Sequence, residues 1–211
     1  LVDQMADRRN GLSGEFDRPD EKAIARAIEF QIYLGFGAEA RQLISAFATP
    51  QDKAPVWRAL GHLLDGDVDP EGTFQGQAAC AGPAALWAVL GDRSLKQGDA
   101  INDGAIRLAF SALPLHLRRL LGPPLTERLL KIGGEEAARA LRDSIVRAPG
   151  EGSSEVSLME AKVNLHNGDA AAAETIADAV MAEPGPSQPQ ALITLTEARI
   201  AQNLPMDPKV A

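Results

Sequence analysis

Asp65-Gly66-Asp67-Val68-Asp69 sets carboxylates at alternate positions, as the opening of a calcium-binding loop does. That chemistry also needs a turn glycine at 70 and a closing bidentate glutamate at 76. The chain has Pro70 and Gly76 there, so the stretch reads as a solvated, hinge-like loop. His62, His116 and His166 are far apart, and none has a Cys or His at zinc-ligand spacing. His166 falls at the C-terminal end of a predicted helix, where a cation is favoured. Cys80 has no arranged partner and reads as a buried small apolar residue. Gly11/Gly14 and Gly35/Gly37 lack the strand-to-helix setting of a phosphate loop. Trp57 and Trp87 read as core. No residue pattern carries a catalytic, metal or cofactor site.

One charge pattern stands out. Residues 101–150 hold eight basic side chains against five acids, whereas 151–211 hold three against nine. Within the basic set, Arg118, Arg119, Arg128 and Lys131 flank Gly122-Pro123-Pro124. A helix break at the prolines would bring both pairs to one surface that binds an acidic segment of a protein partner, or the acidic end of a neighbouring copy. The competing reading is a solvated face with local pairs such as Asp143/Arg147.

At 211 residues the chain can bury a sizeable core. Its net charge of -8 argues against nucleic acid and anionic membranes as general partners. No apolar run nears the ~20 residues of a membrane-spanning helix, so no insertion by this segment is expected. A single cysteine excludes an internal disulfide, which suits a bacterial cytoplasm without excluding a periplasm. Arginine outnumbers lysine 15 to 6, as in proteins of GC-rich bacteria.

The elements that position these residues are helices. Alanine is abundant, and β-branched and aromatic residues are sparse. The clearest unit runs from Ser154 to Pro184. A serine-capped helix carries Leu158, Ala161 and Leu165; a turn follows at Asn167-Gly168-Asp169; a second helix carries Ala173, Ile176, Ala177 and Val180. Ala173 and Ala177 are expected against the first helix of this hairpin, where small residues permit close approach. Similar helix-turn patterns recur from Asp20 to Phe47, from Pro55 to Leu64, and from Pro83 onward.

Two residue patterns recur with these helices. Trp57-Arg58-Ala59-Leu60-Gly61 with Leu64 is one. Ala137-x3-Leu141 with Pro149, and Ala173-x3-Ala177 with Pro184, are copies of the other. The alanines are 36 residues apart and the prolines 35. Ala40-x3-Ile44 is a looser copy. Together these resemble the tetratricopeptide repeat, whose period is about 34 residues. The resemblance covers residues 125–202 and 20–64 and departs from the pattern between 65 and 124. It implies an all-α fold, an α-solenoid of antiparallel helix pairs in a right-handed superhelix that binds protein segments.

The expected organisation is a loosely ordered segment 1–18, a helical-repeat region 19–114 with an acidic loop at 65–77, repeats over 115–203, and a tail 204–211. The expected function is a non-catalytic scaffold for protein–protein interaction, part of a larger bacterial assembly or envelope protein. The alternatives are a helical domain or subunit of an enzyme, such as a lytic peptidoglycan enzyme, and a self-assembling structural protein. Calcium titration is expected to leave the melting temperature unchanged; tight binding at the acidic loop would raise it by mass action.

Overall fold

Asp20 starts the first helix by accepting hydrogen bonds from the amides of Lys22 and Ala23, at 2.9 and 3.1 Å. From there the computed structural model describes residues 20–47, 52–150 and 152–205. The segment 1–18, Pro50 and the tail beyond 205 lie outside the described residues. The fold is all-α. Among the described residues there are ten helices and no strand: α1 Glu21–Leu34, α2 Gly37–Ala46, α3 Ala54–Leu64, α4 Ala84–Gly91, α5 Asp103–Ala112, α6 Leu115–Ile132, α7 Glu135–Val146, α8 Ser154–His166, α9 Ala170–Ala182 and α10 Gln188–Ala201. The chain divides into two compact units, 1–80 with 84–94, and 81–83 with 95–211.

In the first unit α1 packs on α2 and α3, α2 on α3, and α3 on α4. Ile24, Ile28, Ala40, Ile44 and Trp57 form its core. Trp57 is buried, as expected, with the Lys53 ammonium 5.6 Å from its ring centre. The tightest crossing joins Gly37 to Gly61: a Cβ on Gly37 would fall inside the contact radius of the Gly61 carbonyl oxygen. Trp87 stacks on Phe74, ring centres 6.4 Å apart, so loop 65–77 is anchored on α4.

In the second unit α5 packs on α7, α6 on α7 and α8, α7 on α8, and α8 and α9 on α10 and on each other. Helices α8 and α9 form and pack on each other, with Ser153 rather than Ser154 as the first cap and Asp169 as the second. Ala161 of α8, Ala173 of α9 and Ala198 of α10 meet in one buried cluster. Ala177 is likewise fully buried.

One expectation fails. Gly122-Pro123-Pro124 does not break the chain into two helices; α6 runs through it for 18 residues. Gly122 lacks the Cβ that would clash with the proline after it. A Cβ there would also press on the end of the Ile145 side chain, which would have to shift. Leu121, Leu125, Leu129 and Ile132 are buried on this helix, each contributing about 1.5–3 kcal/mol. Their burial offsets the cost of about 3 kcal/mol for each internal proline.

The Gly37/Gly61 crossing gives a direct test. Gly37→Ala forces the α2 start away from the α3 backbone and is expected to cost about 1–3 kcal/mol, read as a lower urea midpoint at unchanged slope.

Candidate functional site

Three helices of the second unit, α6, α8 and α10, line an open groove of ≈ 460 Å³. Helix α6 supplies Glu127, Leu130 and Lys131; α8 supplies Lys162, Leu165 and His166; α10 supplies Gln190, Ile193 and Glu197. The positions are periodic. Glu127, Lys162 and Glu197 stand 35 residues apart in succession, as do Leu130 and Leu165, and Lys131 and His166.

Glu127 is the electrostatic centre. Its two carboxylate oxygens accept from Lys131 at 2.7 Å and from Lys162 at 2.8 Å. The hydrogen bond from Lys131, then that from Lys162, hold its pKa down at about 2, against the opposing effect of partial burial. At the α8 end His166 Nε2 donates to Glu135 at 3.0 Å, and that hydrogen bond lowers the Glu135 pKa. Leu130 and Leu165 are half-buried in the floor, and Ile193 is 49% exposed. Among the described residues Glu197 has no charged partner. The groove thus sets charges of both signs beside apolar side chains.

The four residues expected to bind a partner separate into two sets. Lys131 lies in the groove. Arg118 donates to the Ser144 carbonyl at 3.2 Å, and Arg119 to the Pro149 and Gly150 carbonyls at 3.0 and 3.2 Å. Arg118 thus ties α6 to the last turn of α7, where helix carbonyls lack intrahelical donors, and Arg119 ties it to the segment that follows α7. Arg128 is half-buried. Because α6 is continuous, a rise of 1.5 Å per residue puts Arg118 about 20 Å along the axis from Lys131. Other members of the basic set are paired as well: Arg107 with Glu136 at 3.0 Å and Arg147 with Asp143 at 3.0 Å.

Charge composition does not single out Glu127, Lys162, Ile193 and Glu197 as a group. The signal for three of them is the 35-residue interval from Glu127 to Lys162 to Glu197.

The acidic loop of the first unit is built on internal contacts. Arg41 reaches Asp65 at 2.6 Å and Asp67 at 3.4 Å, and donates to His62 Nδ1 at 2.7 Å. Asp69 accepts from the Thr73 amide at 2.6 Å and from that of Glu71, whose side chain is 3.7 Å from Arg58. A smaller cavity of ≈ 190 Å³ lies between this loop and the end of α4. Cys80 is exposed, contrary to the expectation of a buried residue. Among the described residues no three His, Cys, Asp or Glu side chains converge as a metal site, and no helix is long and apolar enough to cross a membrane.

The Glu127 pKa is depressed below its unfolded value, so its contribution to stability is complete above the ordinary carboxyl range and is lost as pH falls towards 2. Glu127→Gln is expected to lower the urea midpoint at pH 7 and to converge on the parent protein near pH 2; parallel midpoint curves between those limits would contradict the linkage. Neither a protein-family model, a curated protein nor a solved structure matches the chain. Its own geometry is therefore what speaks to function.

Proposed function

We propose that this chain is a non-catalytic helical-repeat scaffold, an α-solenoid of antiparallel helix pairs akin to tetratricopeptide repeats, which binds a segment of another protein. The observation that carries this is the 35-residue recurrence of Glu127, Lys162 and Glu197 on helices that line one groove. Repetition of a two-helix unit places equivalent residues side by side on alternate helices. Contacts of three helices with both their successor and the next-but-one support the same reading: α6 with α7 and α8, α8 with α9 and α10, and, within the first unit, α1 with α2 and α3. Small buried residues at the crossings, Ala161, Ala173 and Ala198, are what such close stacking uses. The groove is open and mixes apolar floor with charged rim, which is the composition of a segment-binding surface.

Lys131 belongs to the binding surface in this proposal. Arg118 and Arg119 act mainly on the α6–α7 contact, and a partner that reaches them does so through donors left over from those carbonyls.

Selection of random peptides displayed on phage against the full chain tests the proposal. Enriched peptides are expected to share a consensus and to slow amide exchange over 127–131 and 162–166. No enrichment above the naive library, or protection confined to other segments, overturns it.

A further inference from the structure

We infer that the groove takes an extended protein segment in which an acidic and a basic side chain flank an apolar one, with the acid over Lys131 and Lys162 and the base over Glu197. This rests on the scaffold reading and adds the chemistry of the partner.

The groove is divided by sign. On the α6–α8 side two ammonium groups share the single carboxylate of Glu127, which takes one hydrogen bond from each. A lysine ammonium has three donors, so both retain donors for a ligand. Lys131 is 62% exposed, and Lys162, at 22%, is held in place by the same carboxylate. His166 and Glu135 satisfy one another at the end of α8 and leave this excess of positive charge intact. On α10 the sign reverses. Glu197 is exposed and has no charged partner among the described residues. Leu130, Leu165 and Ile193 supply the apolar surface of the same groove.

A uniformly acidic segment would be drawn to the lysines and repelled by Glu197; a uniformly basic one would meet the reverse. Only a segment that carries both signs in the matching order is favoured along its length. The separation of the charges follows from the helices. Packed neighbours lie ~8–10 Å apart, which is about three residues of extended chain at ~3.3 Å each. The matching order is therefore acid, apolar, any residue, base.

The test uses the full chain and three fluorescein-labelled peptides with Gly-Ser flanks, carrying Asp-Leu-Val-Lys, Asp-Leu-Val-Asp or Lys-Leu-Val-Lys. Fluorescence anisotropy is expected to rank the first peptide tightest, by roughly three- to fivefold at moderate salt, the scale of exposed charge pairs. Glu197→Lys alters an exposed side chain, and its melting curve is expected to match the parent. It should transfer the preference to Asp-Leu-Val-Asp, with a swing of about tenfold between the two peptides. That exchange cannot come from general damage to the fold. Equal affinity for all three peptides, or a ranking unmoved by Glu197→Lys, overturns the charge assignment. If displayed peptides of another charge order protect the groove, this inference falls and the scaffold stands. If neither designed nor selected peptides bind, both fall.

Discussion

Close approach of helices at residues without bulk is the constraint on which both units depend. Gly37 lies against the Gly61 carbonyl in the first, and Ala161, Ala173 and Ala198 share one cluster in the second. Interhelical distance is set by the side chains at the contact, and dispersion attraction grows as backbones near one another. The same crossings fix where polar neighbours sit. Lys162 follows Ala161 directly, so the burial of Ala161 aims the next side chain at the flank of α6, where Glu127 receives it. In the first unit Arg41 lies one turn beyond Gly37 and lies over the Gly61 crossing while binding the loop carboxylates.

Helix α6 shows how far burial overrides local preference. Two consecutive prolines remove the amides that would bond the carbonyls of Arg119 and Leu120. The helix persists because its buried side faces both α7 and α8, and because Gly122 admits Ile145, Phe110 and Met159 around a position with no side chain. The outcome is a rod with two ends of different use. At one end arginines hold carbonyls at the close of α7; at the other Glu127 and Lys131 face the groove.

Much of this was legible in the sequence where local chemistry decides. Asp20, Asn102 and Asp169 cap the helices they precede. The turn glycines Gly35, Gly133 and Gly168 take left-handed dihedrals, and Pro114 stands between α5 and α6. The all-α class follows from the same features. What local chemistry does not decide was not legible. Whether Pro123 and Pro124 end a helix depends on what covers Leu121 and Leu125, which lie between elements distant in sequence. The basic cluster is legible only in part for a related reason. Arg118 and Arg119 also donate to main-chain carbonyls, acceptors that composition cannot reveal, because every residue type carries one. Cys80 was placed inside from the general habit of cysteine, and only the turn that holds it shows otherwise.

The electrostatics of the groove centre on one carboxylate. The hydrogen bonds from Lys131 and Lys162 hold the Glu127 pKa down at about 2, so it is an anchor for the two cations. The carboxyl displaced in the opposite direction is Asp103, raised first by burial and then by Glu136, and it belongs to α5, which does not line the groove. Glu127 orders both lysines through its own two oxygens, so the sign of the charge on the α6–α8 side of the groove is set beside the apolar side chains of Leu130 and Leu165.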